Sequence, residues 1–337
     1  MNATCEALFF EQQGDAVRCG LCAHHCLIGE GKRGICGVRE NREGRLVSLV
    51  YGNLVAEHVD PIEKKPLFHV LPGSLSYSIA TMGCNFRCLH CQNSSISQVD
   101  SRSGDLPGVT RTPESVVRAA QRSQCQSISY TYVEPTIFFE FAYRCSVLAA
   151  QQGLKNIFVS NGYMSRGAVE MLAPVLCAVN VDIKAFSDQF YKKVCGARLQ
   201  PVLDTVELLH ALGVWVEVTT LIIPGMNDSP AELASIASFL AAIDRNIPWH
   251  VTAFYPSHRM LDVPPTPRSS LKAAARIGRD KGLLHVYEGN IGVGGEDTVC
   301  GSCGSRLIER RGLQVLSNRL TGGACPDCGA HLAGVWD

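Results

Sequence analysis

The sequence predicts an α/β protein: a parallel sheet wrapped by helices, with small cysteine-rich metal-binding modules at both ends. Three observations lead there. Seven strand-like runs alternate with six helical ones through the middle of the chain, and strict alternation implies parallel strands with right-handed crossovers. Sixteen cysteines among 337 residues fall mostly into three clusters. Hydrophobic residues make up 46% of the chain, which supports a substantial core and argues against disorder.

The elements follow in order. Leu75 to Thr81 reads as a strand running into a cysteine-bearing loop. Thr112-Pro113-Glu114 opens a helix, with Thr as N-cap and Pro at the first helical position. Ser127 to Tyr132 is a strand, and Thr136 to Gln152 a helix closed by Gly153. Asn156 to Ser160 is a short strand that meets an Asn161-Gly162 turn. Ser165 to Leu176 is helical, and Ala178 to Ile183 is a strand leading to Lys184. Pro201 to Leu212 is a helix stopped by Gly213, before the β-branched strand Val214 to Ile223. Ser229-Pro230-Ala231-Glu232 is a capping box for the next helix. Trp249 to Phe254 is a strand, Thr266-Pro267 opens a helix ending at Gly282, and Leu284 to Glu288 is the last strand. A barrel-like sheet and an open doubly wound sheet both satisfy this order. Both place their sites at the C-terminal ends of the strands. The cysteine loop, Glu134, Asn161, Asp182 and Lys184 are therefore expected to converge in one mouth, with Phe254 to His258 beside them.

Three domains are expected: residues 1–43, short and cysteine-dense; the body, residues 44–290; and residues 291–337, which begin at the flexible link Gly292-Val293-Gly294-Gly295. Modules as small as the two ends bury too little apolar surface to hold themselves without a metal. Formal net charge is zero, so no global attraction to nucleic acid or membrane is expected. No uninterrupted apolar run is long enough to span a bilayer. Met1 to Asp15 carries acidic residues and no long apolar run, so it does not read as a signal peptide. The expected compartment is the cytoplasm, where clustered cysteines point to metals rather than disulfides.

Cys300, Cys303, Cys325 and Cys328 form two Cys-x-x-Cys knuckles at the spacing of a zinc ribbon. Structural zinc is expected there, with rubredoxin-like iron using the same ligands. Cys19, Cys22, Cys26 and Cys36 offer four thiolates, suited to zinc or to an auxiliary iron–sulfur cluster. His24 and His25 are expected outside the ligand set. Cys5, Cys125, Cys145, Cys177 and Cys195 read as small buried hydrophobes.

The central cluster differs. Cys84, Cys88 and Cys91 supply three thiolates and no local fourth. His90 could close a zinc site. Otherwise one metal position stays open, where chemistry can occur.

The spacing of these three cysteines resembles that of radical S-adenosylmethionine enzymes. The runs Asp60-Pro61-Ile62-Glu63-Lys64-Lys65-Pro66-Leu67, Tyr130-Thr131-Tyr132-Val133-Glu134-Pro135-Thr136, Ser160-Asn161-Gly162, Val181-Asp182-Ile183-Lys184 and Ile223-Pro224-Gly225 look like those of relatives of pyruvate formate-lyase activating enzymes. With both terminal cysteine modules, they resemble the radical enzyme of the AmmeMemoRadiSam system. The resemblance implies a partial (β/α)6 barrel. It implies a [4Fe–4S] cluster on the three thiolates, with S-adenosylmethionine chelating the fourth iron. Reduction of the sulfonium would give a 5′-deoxyadenosyl radical that abstracts a hydrogen atom. It places Glu134 near the cofactor amino group, and Asn161, Asp182 and Lys184 along its methionyl end, where Lys184 could pair with the carboxylate. His90 stands where an aromatic residue usually packs near adenine, and adds a titratable group. Val159-Ser160 replaces the aspartate that precedes the Asn-Gly turn in activating enzymes.

The expected function is hydrogen abstraction from an unidentified small molecule, peptide or protein. Electrons would come from a flavodoxin or ferredoxin, and Memo-like and AMMECR-type proteins are candidate partners. Activation of a glycyl-radical enzyme is the alternative. Against it, residues 92–125 carry no ferredoxin-like cysteine cluster, and the zinc-ribbon-like tail is not typical of such activases. A non-catalytic zinc adaptor is the alternative from another class. It conflicts with the neutral charge and leaves an open three-thiolate site unexplained.

Overall fold

The computed structural model describes residues 4–99, 104, 106–292 and 294–337. Val293 of the expected link lies outside them. The body is an eight-stranded sheet. Its strands are β1 (Ala56–Pro61), β2 (Leu75–Ala80), β3 (Ser127–Tyr130), β4 (Lys155–Ser160), β5 (Ala178–Asp182), β6 (Trp215–Ile222), β7 (Trp249–Ala253) and β8 (Val286–Gly289). They lie in sequence order across the sheet. From β2 to β8 every neighbour is parallel, while β1 joins β2 antiparallel. Six helices make the crossovers: α1 (Pro113–Arg122), α2 (Phe139–Gln151), α3 (Arg166–Leu172), α4 (Gln200–Ala211), α5 (Pro230–Ile243) and α6 (Arg268–Asp280). This is the α/β fold that the alternation implies and the partial barrel that the resemblance implies, with β8 following the sixth helix.

Both faces of the sheet are covered, so residues of either face are buried, serines included. All four residues of β3 are buried, as are Ala178 to Val181 of β5. The helix starts follow their caps. Thr112 and Ser115 form a reciprocal capping box on α1, with Pro113 at the first position. Ser229 caps α5 by accepting from the Glu232 N–H. The Glu232 carboxylate does not return to the cap as a capping box would require. It accepts instead from the Phe186 N–H.

Among the elements not foreseen, two border the sheet and the cysteine loop. The first, β1, is an edge strand with two exposed residues and a terminal proline, so its alternation is weak. The second is a π-helical turn, Tyr191–Cys195, closed by Gly196 with φ +71°.

The flanks pack onto this body. Two three-stranded antiparallel sheets form within residues 5–48. Val17, Leu21, Ile28, Val38 and Leu46 are buried in one core together with Ile79, Phe86 and Phe139. Arg39, only 2% exposed, forms an ion pair with Glu140 of α2 at 3.0 Å. The tail forms a three-stranded sheet with a small core of its own. It is tied to the body by the Val335 N–H on the His69 carbonyl at 2.7 Å and by Arg310 on the Phe68 carbonyl at 2.7 Å. Of the scattered cysteines, Cys125, Cys145 and Cys195 are buried, whereas Cys5 and Cys177 are half-buried.

Candidate active site

The loops at the C-terminal ends of the parallel strands enclose a cavity of about 940 Å³. Cys84, Cys88, Cys91 and His90 reach it from the loop after β2, and Glu134 from the loop after β3. Asn161 comes from the end of β4, and Asp182 and Lys184 from the end of β5. All of these residues line this one space, whereas of the expected stretch Phe254 to His258 only Tyr255 does.

The cysteine loop is fixed by its backbone. Gly83 has φ +100°, and a Cβ there would stand 2.7 Å from Val38 Cγ1 and 2.9 Å from the Cys36 carbonyl, so only glycine fits. The Arg87 N–H donates to the Cys195 carbonyl at 2.8 Å and the Leu89 N–H to the Val194 carbonyl at 2.9 Å. The π-helical turn thus serves as the loop's backrest. Arg87 closes the loop on itself by donating to the Cys84 carbonyl at 2.9 Å. Ser257 anchors it from outside, with Oγ donating to the Cys91 carbonyl at 3.2 Å. Nearby, Tyr255 lines the cavity.

The thiols suit a metal centre. Burial, with Cys88 and Glu134 close by, pushes the Cys84 thiol well above its usual range. A hydrogen bond with Cys195, then burial, does the same for Cys88. Neutral thiols in this setting lose their protons only against a cationic centre. The Phe86 N–H already points at Cys84 Sγ, 3.4 Å away. No zinc site closed by His90 is assembled: among the described residues, only the four tail cysteines bring three or more ligand atoms within 4.8 Å of one another. Sulfurs held apart around an open cavity fit a cluster with irons at separate corners. His90 Nδ1 and Thr219 Oγ1 are buried without partners in residues that line the same cavity, which leaves polar groups for a bound cofactor to meet.

Glu134 is 3% exposed. Oε1 accepts from Thr136 N at 3.1 Å, Thr136 Oγ1 at 2.5 Å and Ser160 Oγ at 2.9 Å, and Oε2 from Asn161 N at 2.7 Å. Burial still leaves its carboxyl raised. Oε2 retains capacity for one more donor. The Asn161 side chain turns to the loop, donating to Asn85 Oδ1 at 2.7 Å. Lys184 Nζ meets Asp182 Oδ2 at 2.9 Å. Burial opposes the Lys184 charge, but Asp182 and then the Cys88 and Cys195 sulfurs outweigh it and hold the pKa well above the usual lysine range. His90 is not the titrating group expected: burial, then Lys184, lowers it to about 3, so the ring is neutral.

The sequence model of the Radical SAM superfamily matches residues 78–237, the segment that carries every one of these residues. This chain carries a radical SAM domain. Over 332 residues it is 45% identical to an uncharacterized protein of Methanocaldococcus jannaschii, covering 97% of this chain and 98% of that one. Among solved structures, Streptococcus suis SuiB bound to S-adenosylmethionine superposes with a TM-score of 0.51 at 13% identity, over 67% of this chain and 52% of SuiB. A radical SAM methyltransferase from Sphaerobacter thermophilus gives 0.50 at 14% identity, over 68% and 70%. At these identities the structural likeness is one of fold. That domain makes the protein an enzyme and implies a [4Fe–4S] cluster and S-adenosylmethionine. None of its helices among the described residues is long and apolar enough to cross a membrane.

This radical SAM chain has two polar groupings that sequence reasoning left unassigned. Asp60 accepts from Lys64 at 2.8 Å, Lys65 at 2.6 Å and the Tyr132 hydroxyl. Burial lowers Lys65 to about 8 against the pull of Asp60. Lys64, Lys65 and Tyr132 line the cavity. On another wall stands His250, with Nε2 2.6 Å from Glu217 Oε2. Glu217 is fully buried and also accepts from the backbone of Phe68 and His69 and from Trp215 Nε1. An acidic residue inside the apolar run of β6 was the available sign.

Two further cysteine groups stand outside the cavity. The tail sulfurs draw together, with Cys300–Cys328 at 3.6 Å and Cys303–Cys325 at 3.7 Å. A tetrahedral ion with metal–sulfur bonds of about 2.3 Å needs edges of about 3.8 Å, so the tail is preset for one ion. Cys19, Cys22, Cys26 and Cys36 line a second, separate cavity, together with His24.

Proposed function

We propose that Cys84, Cys88 and Cys91 hold a [4Fe–4S] cluster and that S-adenosylmethionine occupies the cavity beside it. The observation that carries this reading is the convergence of exactly those three thiols with Glu134, Asn161, Asp182 and Lys184 on one space at the strand ends. When bound, the pair supplies one electron to the sulfonium and, from its cleavage, a 5′-deoxyadenosyl radical able to take a hydrogen atom. The chain's own residues bind, orient and exclude water. The remaining acceptor site of Glu134 Oε2 suits an N–H of the cofactor amino group. The Lys184 ammonium suits its carboxylate, with Asp182 steering it. His90, neutral and unpartnered at Nδ1, offers a flat face and a hydrogen bond for the adenine end.

The substrate class stays broad: a small molecule, peptide or protein with an abstractable hydrogen. The reading extends to the radical enzyme of the AmmeMemoRadiSam system, with Memo-like and AMMECR-type proteins as partners and a flavodoxin or ferredoxin as electron donor. The motifs quoted from the sequence support it. The tail is read as structural zinc. The variant Cys88→Ala tests the assignment: it should lose S-adenosylmethionine cleavage while keeping the tail metal. Retained cleavage would move the active cluster elsewhere.

A further inference from the structure

The tail shows what this chain does with four cysteines meant for one ion: two sulfur pairs stand at 3.6 and 3.7 Å, and all four lie within 4.8 Å of one another. The N-terminal cysteines do otherwise. No three of their sulfurs come within 4.8 Å, yet all four side chains face a common cavity. Four thiols arranged around a space, rather than drawn to a point, do not suit a tetrahedral ion with bonds of about 2.3 Å. They suit a cluster whose irons occupy separate corners, each taking one thiolate. Nor do the three active-site sulfurs all lie within 4.8 Å of one another, so the tail differs from both other groups.

We propose that Cys19, Cys22, Cys26 and Cys36 hold a second [4Fe–4S] cluster. The surroundings favour this. Cys19 and Cys36 are buried, and Cys22 and Cys26 half-buried. Leu21 and Ile28 wall the cavity, a dry setting for a cluster. Arg39 also lines it, and its Nε is buried without a hydrogen-bond partner. Ion-paired with Glu140 through Nη1, Arg39 leaves that Nε N–H as a donor for cluster sulfur. Four thiolates close all four corners. No iron is left for S-adenosylmethionine, and the chemistry left to this site is gaining and losing an electron.

The second cluster adjoins the loop of the first. His24 Nε2 stands 2.7 Å from the Asn85 carbonyl, and Asn85 itself lines the N-terminal cavity. The Cys36 carbonyl is the group that forbids a side chain at Gly83. One short segment, Gly83 to Asn85, thus touches both sites.

The test is metal and sulfide analysis of the full chain, reconstituted anaerobically with iron and sulfide. The variant C84A/C88A/C91A removes the active-site ligands. It should keep about four irons, with matching sulfide, and give an EPR signal after dithionite reduction. Zinc should be confined to the tail. The partner variant C22A/C26A should lose about four of the roughly eight irons of the wild type and keep the EPR signal that responds to S-adenosylmethionine. Two zinc ions and no iron in the first variant would overturn the proposal, as would an unchanged iron count in the second. Because the proposal rests on the reading above only for the identity of the first cluster, the arms separate the two failures. Wild-type iron that survives the triple substitution in full would sink the active-site assignment instead.

Discussion

Asn161 Nδ2 donates to Asn85 Oδ1 across 2.7 Å, joining the end of β4 to the cysteine loop. The same Asn161 gives its backbone N–H to Glu134 Oε2 at 2.7 Å. One residue therefore couples the cluster loop to the carboxylate proposed for the cofactor amino group. Asn161→Ala should keep the iron of the active-site cluster and cut 5′-deoxyadenosine formation about 10- to 100-fold, the scale of a small misplacement of reacting groups. Iron analysis and product assay on the same sample check it. Unchanged turnover would remove Asn161 from the positioning role.

Lys184 is a cation whose charge acts on the Cys88 sulfur in the proposed methionyl pocket. Lys184→Met should raise the Kd for S-adenosylmethionine about 10- to 100-fold, the range for a lost charge-assisted hydrogen bond. Titration of the cluster's EPR signal with the cofactor reads this directly. An unaltered Kd would place the carboxylate elsewhere.

Asp60 links stability to pH. Burial would raise its carboxyl, but hydrogen bonds from Lys64, Lys65 and Tyr132 prevail and hold it well below the ordinary 3.8. A depressed carboxyl contributes stability that is fully present above 3.8 and is lost as pH falls through the folded-state value. Asp60→Asn should therefore flatten the loss of stability on acidification below about pH 4, and lower stability at pH 7. Urea melts at a series of pH values measure both. Parallel curves for variant and wild type would contradict the ion-pair account.

The tail metal should matter to the body. His69 is fully buried and meets the tail through Nδ1 on the Ala333 carbonyl at 2.8 Å, while Leu313 of the tail lines the active-site cavity. Cys303→Ser should release the tail ion and lower the Tm by a few degrees. It should also weaken S-adenosylmethionine cleavage less than Cys88→Ala does. Calorimetry and the product assay together check it; equal loss of activity in both variants would mean the tail does more than close a wall.

Much of this site was legible because its residues end strands. The period of the strands fixes where each run stops, and parallel strands bring those ends together, so Glu134, Asn161, Asp182 and Lys184 could be grouped before any coordinates. The partners of those residues were not legible. Glu134 is tied to Thr136 and Ser160, and Asn161 to Asn85, through side-chain bonds that no periodicity encodes. Glu217 looked like one acid in an apolar strand. Only the fold sets His250 against it, 33 residues away. Cys195 read as a small hydrophobe and is indeed buried, but its neighbour is Cys88, which depends on an unforeseen π-helical turn. The N-terminal segment showed no core periodicity because its strands are only two to four residues long. The surface they pack against belongs to the body.

The central claim is that this chain cleaves S-adenosylmethionine at Cys84, Cys88 and Cys91. The most direct test incubates the anaerobically reconstituted protein with S-adenosylmethionine and dithionite and quantifies 5′-deoxyadenosine. The account predicts its formation by the wild type and its absence with Cys88→Ala. A wild-type protein with its cluster bound that yields none would contradict the account.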